Sequence, residues 1–174
     1  MAVKNAVLAY LEQHRDCYSS GELLAKELGI SRAGVWKAVE SLKKDGYQVH
    51  AVTRKGYQLA DETDILSAES IRPFLDKHCR TIEIEAFSSL ESTNLTAKQQ
   101  ALSAAKERTV ILAEEQTMGS GRLGRSFFSP AHTGIYLSMI LRPSLKAADA
   151  PLVTTAAAVA VCRAIKEITG LDAQ

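Results

Sequence analysis

The chain has little of what usually announces a function. Its three cysteines, Cys17, Cys79 and Cys162, are odd in number and show no CxxC spacing, and its four histidines, His14, His50, His78 and His132, are scattered. This pattern indicates neither a disulfide framework nor a zinc site, and no metal ligands are assigned. A secretory leader is missing as well, because residues 1–10 carry no long apolar core, and the fully apolar stretches further on are too short to span a bilayer. The expectation is a cytoplasmic protein with no membrane partner. Nor is there an excess of charge of one sign: the net charge is +1 over 174 residues. The balance hides a division, since residues 1–60 hold nine Lys/Arg against six Asp/Glu and residues 61–174 hold twelve against fourteen. The two halves are therefore expected to meet different partners. With 46% hydrophobic and 24% charged residues, the chain can build one large or two small cores.

The polar run Asp61-Glu-Thr-Asp64 marks the expected boundary. Before it, the spacing predicts a helix over 6–14 with Val7, Leu8 and Leu11 on one face. A second helix is capped by Ser20, carries Leu24 and Leu28, and ends at Gly29. Ser31 caps a third, where Val35, Val39 and Leu42 face inward, Arg32, Lys37, Lys43 and Lys44 face solvent, and Gly46 stops the helix. Two alternating segments, 47–52 and 57–60, follow, joined through Thr53-Arg-Lys-Gly56 as a hairpin with a basic tip. Residues 1–62 thus read as a winged helix-turn-helix DNA-binding domain, its third helix entering the major groove. Ser31 at the helix start is assigned to the DNA-binding set, Arg32 and Lys37 are candidates for base-edge or phosphate contact, and Arg54 and Lys55 for backbone contact. Trp36, one position past Val35, fits either the core edge or the DNA face. A small protein-interaction domain with merely solvated lysines is the competing reading.

After the boundary, strands and helices alternate over 65–174, an α/β (α+β) pattern. A strand over 81–87 places Ile82, Ile84 and Ala86 on one face; an alanine-rich helix covers 94–106, and a short apolar strand covers 109–113. A strand over 134–141 is apolar on both faces and is expected to be central. Pro151 opens a helix over 152–168, apolar around most of its circumference and expected to be buried, and Gly170 ends it. Ser92-Thr-Asn94, between the first strand and its helix, reads alone as a plain helix cap. The richest segment is the loop after the second strand, where Gly119, Gly121 and Gly124 permit close backbone approach and Arg122 and Arg125 bring fixed positive charge. It suits an anionic ligand containing phosphate. GSGRLG matches the dinucleotide pattern GxGxxG, but Pro130 follows where a helix should start, and no Gly-Lys-Ser/Thr ending makes it a Walker A loop.

With these residues in view, the chain resembles the bifunctional biotin protein ligase and biotin repressor family along its whole length. The resemblance rests on the winged helix, the Ser-Thr-Asn turn at 92–94, the Ala113-Glu-Glu-Gln116 strand end, the GSGRLGR loop and Phe128-Ser-Pro130. It implies that Ser92, Thr93, Asn94 and Gln116 meet biotin, and that the loop from Gly119 through Ser120 and Gly121 to Arg125 covers biotin and its adenylate. Arg122 is assigned to the adenylate phosphate or the biotin carboxylate, Arg125 to the phosphate side, and Phe127 to packing beside the adenine. It further implies ATP and magnesium as cosubstrate and cofactor, and biotinyl-5′-AMP as intermediate. Biotin then passes to a lysine of a biotin carboxyl carrier protein domain. The adenylate-bound homodimer represses biotin genes at palindromic operator DNA. Ser120 departs from the pattern, standing where the family commonly has arginine. The family's Lys-Trp-Pro-Asn-Asp segment and small C-terminal domain would lie beyond residue 174, so the catalytic domain is expected to be truncated and the 174-residue chain inactive by itself. A regulator that senses biotin or its adenylate without ligating it is the alternative. A lipoate ligase relative shares the broad fold but does not explain a winged helix followed by GSGRLGR.

Overall fold

Serine hydroxyls start the helices of the N-terminal half. In the computed structural model, which describes residues 3–61, 63 and 65–173, the Ser20 hydroxyl accepts the Leu23 N–H at 3.1 Å to begin α2 (Gly21–Leu28), and Ser31 accepts the Gly34 N–H at 3.0 Å to begin α3 (Arg32–Lys44). Gly29 ends α2 in the left-handed region at φ 64°, and Gly46, at φ 93°, follows the end of α3. The first helix, α1 (Val3–Gln13), lays Val7, Leu8 and Leu11 against α3, and Val35, Val39 and Leu42 meet them with no exposed surface. Each such aliphatic side chain contributes about 1.5–3 kcal/mol by leaving water.

Strands β1 (Val49–Val52) and β2 (Gly56–Leu59) pair antiparallel and close that core with Val49 and Leu59. Ser19 adds a one-residue third strand beside β2, exchanging backbone hydrogen bonds with Tyr57 at 2.8 and 2.9 Å. Gly56 sits at φ 110° directly against the Ser19 carbonyl, so a Cβ there would have no room. The three helices and the hairpin are the expected winged helix-turn-helix.

The expected boundary at 61–64 is tied down on both sides, although Glu62 and Asp64 lie outside the described residues. Arg15 Nε donates to Glu12 Oε2 at 2.7 Å, and its terminal nitrogens donate to the carbonyls of Ala60, Asp61 and Thr63 at 3.3–3.4 Å. Beyond it, Asn5 on α1 donates to Glu69 at 2.8 Å, and the Leu66 N–H donates to Glu114 Oε1 at 3.0 Å. Two compact units result, Met1–Ile140 and Leu141–Gln174.

Within the first unit, β3 (Ile84–Phe87), α5 (Thr93–Leu102) and β4 (Val110–Ala113) form a parallel strand–helix–strand crossover, and β5 (Tyr136–Met139) pairs antiparallel with β4. The sheet order is β3-β4-β5, and all four β4 residues are buried. Val110 and Leu112 point to the face covered by α4 (Ala68–Ile71), while Ile111 points to the face covered by Ala97 of α5. Ile82, Ile84 and Ala86 share the α4 face, as their alternation predicted.

Two expectations are corrected. The strand expected to be central is β5, and among the described residues it lies at the sheet edge. Tyr136, Ser138 and Ile140 are buried, whereas Leu137 and Met139 are about half exposed, because α5 covers only one of its faces. Helix α6 (Pro151–Thr169) starts at its proline and ends at Gly170 in the left-handed region, as expected, yet none of its described residues is buried. Its own unit adds only a short 3₁₀ turn, Ala147–Asp149, which is too little to cover an apolar helix of 19 residues.

Candidate ligand site and nucleic-acid face

The chain leaving β3 and the chain leaving β4 continue side by side past the carboxyl ends of the strands. Leu90 N–H donates to the Glu115 carbonyl at 3.2 Å and Thr117 N–H to the Leu90 carbonyl at 2.9 Å, which sets the Ser-Thr-Asn turn beside Gln116. Ser92 occupies the cap position of α5, but its side chain makes no cap bond. Gln116 does this instead. Its Oε1 accepts the Thr93 N–H at 2.8 Å and the Thr93 hydroxyl at 3.1 Å, while its Nε2 donates to Ser129 Oγ at 3.1 Å. From β5, the Ser138 hydroxyl donates to Thr93 Oγ1 at 2.9 Å, with Asn94 Oδ1 3.3 Å away as a second acceptor. Five side chains from four separated segments thus form one polar network at the ends of two parallel strands, where open α/β sheets place their ligands.

The glycine-arginine loop folds back on itself over this network. Phe127 N–H donates to the Gly119 carbonyl and Gly121 N–H to the Arg125 carbonyl, both at 2.7 Å, and Ser120 pairs with Ser126. At the tip, Leu123 (φ 58°) and Gly124 (φ 72°) are both left-handed, and Leu123 is almost fully exposed. Gly119 is buried with its α-carbon against the Phe127 carbonyl and Ser129 Oγ, so any side chain would push the two arms of the loop apart. No helix follows, in agreement with the exclusion of a dinucleotide loop.

Three adjoining hollows result. Ser92, Thr93, Asn94, Gln116, Ser120 and Phe127 line a cleft of about 260 Å³, closed on its far side by Tyr136, Leu137 and Ser138. Ser92, Asn94 and Ser120 also line a second cleft of about 410 Å³, reached by Gly121, Met118 and Lys98. Phe127 turns a third, apolar side toward Phe128, Pro130, Ile135 and Tyr136 in a cup of about 430 Å³. Six of the residues expected at the ligand are therefore brought together in one cleft, Gly121 lines its neighbour, and Gly119 shapes the loop from behind. Arg125 is exposed on the loop and lines none of these hollows, and the side chain of Arg122 lies outside the described residues. Ser129, Ser138, Tyr136 and Lys98 were missed by the sequence reading. Ser138 had a signal, a hydroxyl on the inward face of an otherwise apolar strand. Ser129 lies inside the named Phe128-Ser-Pro130 segment, which gave it no role, and Lys98 had no signal beyond its position near a named motif.

On the winged helix, Arg32 and Trp36 of α3 and Arg54 of the hairpin line a groove of about 660 Å³ between helix and wing. Lys37 is exposed on α3 outside this lining, and the Lys55 ammonium lies 5.9 Å from the centre of the Tyr18 ring. The hydroxyl of Ser31 is engaged in capping α3. Trp36 is 55% exposed, which places it on the outer face rather than at the core edge.

Residues 3–58 match an HTH domain family, and residues 86–174, half of the chain, match the biotin/lipoate A/B protein ligase family. The chain belongs to the biotin/lipoate A/B protein ligase family. It is 39% identical over 155 residues to the bifunctional ligase/repressor BirA of Bacillus subtilis, a match covering 89% of this chain and 48% of that protein. Against the bifunctional ligase/repressor BirA of Escherichia coli it is 34% identical over 125 residues, covering 72% of this chain and 37% of that protein. The biotin protein ligase of Leishmania major in complex with biotinyl-5-AMP matches with a TM-score of 0.43 and 26% identity, over 52% of this chain and 37% of that one. The chain spans about half the length of the curated Bacillus relative, and the two segments matched by family models, 3–58 and 86–174, contain the winged helix and the cleft with its loop. Among the described residues no helix is long and apolar enough to cross a membrane.

Proposed function

We propose that this chain belongs to a bifunctional biotin protein ligase and repressor, with residues 1–62 binding operator DNA and residues 65–174 forming the first part of the ligase domain. The Gln116–Thr93–Ser138–Ser129 network carries the reading. A ureido ring presents one carbonyl acceptor and two N–H donors in a fixed plane, and hydroxyls and amides held in register can meet all three. Ser92, Thr93, Asn94 and Gln116 take that role.

In the first step the biotin carboxylate attacks the α-phosphorus of ATP, a mixed anhydride forms as biotinyl-5′-AMP, and pyrophosphate leaves. In the second, a carrier-domain lysine amine attacks the acyl carbonyl, an amide forms, and AMP leaves. The nucleophile belongs to the substrate, so the protein supplies positioning and charge. Arg122 and Arg125 supply the charge from the glycine loop, and Phe127, which lines both the polar cleft and the apolar cup, packs by the adenine. Magnesium would arrive with the nucleotide and would supply charge neutralisation at its phosphates. A cytoplasmic homodimer, formed when adenylate is bound, presents two winged helices to a palindromic operator.

The test is calorimetry with biotin and with ATP, followed by pyrophosphate release and transfer to a carrier domain, on a polypeptide as long as the relatives. Saturable binding of both and stoichiometric transfer are expected. Failure to bind either compound overturns the reading, and binding without pyrophosphate release leaves a biotin-sensing regulator.

A further inference from the structure

We infer that Trp36 is a sequence-reading residue of the DNA face, making apolar contact with thymine methyl groups in the major groove. The inference rests on the DNA-binding reading and goes further by assigning one side chain a base to discriminate.

Trp36 is the only tryptophan in the chain, and it is 55% exposed while its neighbour Val35 is completely buried. It is the fifth residue of α3, within the N-terminal turns that a recognition helix inserts between base edges. Ala33, also exposed, lies one turn before it on the same face, so the helix shows DNA a short apolar strip. Arg32 stands beside that strip and Arg54 faces it from the hairpin, with Glu22 as the one acidic residue at the groove. Cations on two sides favour a polyanion over a protein partner of mixed charge.

The chemistry of the ring decides what it reads. Indole offers one N–H donor and otherwise only an apolar surface, so it gains little from phosphate oxygens. In the major groove the thymine C5-methyl is the apolar feature of the base edges, and apolar side chains, aromatic ones included, make contact with it. Arg32 and Lys37 are then left for acceptor atoms and phosphates.

The experiment uses the whole chain and a duplex enriched by it from a randomised pool, synthesised once with thymine and once with uracil, which lacks only the methyl group. Binding to the thymine duplex should quench the fluorescence of the single tryptophan. Trp36→Ala should weaken that binding roughly fivefold or more, leave the salt slope unchanged, and abolish the preference for thymine over uracil. Trp36→Phe should keep part of the preference, and circular dichroism of both variants should match the parent. Equal weakening on every duplex, a thymine preference that survives in Trp36→Ala, or an unquenched tryptophan overturns the inference while leaving DNA binding in place. If the chain binds no duplex at all, the DNA-binding reading falls, and this inference with it.

Discussion

The winged helix and the ligand cleft solve the problem of holding a surface in place by different means. Around α1 and α3, eleven buried side chains form one cluster, and the positions of Arg32, Trp36 and Arg54 follow from how that volume is filled. Around the cleft, the two apolar clusters of the sheet hold three buried residues each, and the site is positioned by directional bonds from Gln116, Thr93, Ser129 and Ser138. Packing tolerates changes of polarity at its rim and punishes lost volume. A hydrogen-bond network does the reverse, because one missing partner leaves another group buried and unpaired.

The contrast can be broken at its strongest point by Leu42→Ala, which should cost about 2–5 kcal/mol in denaturant unfolding. A loss below about 1 kcal/mol would mean the core collapses to fill the gap and is not the rigid support described. Gln116→Ala should come next, at about 1–3 kcal/mol, since it strips the Thr93 N–H of its acceptor and removes the donor to Ser129 Oγ, which keeps its own bond to the Phe127 carbonyl. Calorimetry should show biotin affinity falling with it, and unchanged affinity would detach the network from the ligand. Ser31→Ala should cost roughly 1 kcal/mol by uncapping α3, with a matching loss of DNA affinity.

Tyr47→Phe tests the boundary of the packed region by pH. Burial, the leading cause, holds the Tyr47 phenol above its usual value, with a hydrogen bond from Ser67 acting against it. The folded chain therefore keeps that proton longer than the unfolded one. The associated stability is complete below the unfolded value of about 10 and is lost as pH rises through the raised folded value. The variant should lose stability less steeply above pH 10, and Lys4, held above its usual value by its hydrogen bond to Asp45, should leave a residual slope. Smallest of all, Ile168→Ala, at a residue 82% exposed, should change stability by less than about 0.5 kcal/mol.

The same contrast explains what could be read from the residues. Local signals gave the N-terminal half almost entirely: Ser20, Ser31, Gly29 and the spacing of Val35, Val39 and Leu42 each act within a turn or two of themselves. The Ser-Thr-Asn turn and the glycine loop were legible as chemistry, and Gln116 through the family resemblance. That Gln116, rather than Ser92, serves the start of α5 depends on a contact 23 residues away and has no local trace. Strand β5 misled because its alternation of Leu137 and Met139 with Tyr136 and Ile140 is apolar on both faces, and only pairing decides which face is covered. Helix α6 misled for the same reason: apolar periodicity states a need for burial and does not supply the covering surface.

Arg15 and Glu12, which no motif singled out, bear on how the chain leaving the wing is held. One guanidinium reaches three carbonyls of the chain leaving the wing, those of Ala60, Asp61 and Thr63, and is itself held by a carboxylate whose second oxygen, Oε1, has no hydrogen-bond partner among the described residues. Displacing Arg15 would remove its bonds to all three carbonyls and its ion pair with Glu12 together, while the Ala60 carbonyl would keep the Thr63 N–H at 3.1 Å. One side chain thus joins the end of α1 to the stretch that leaves the wing, so a substitution at Arg15 is felt at both places at once.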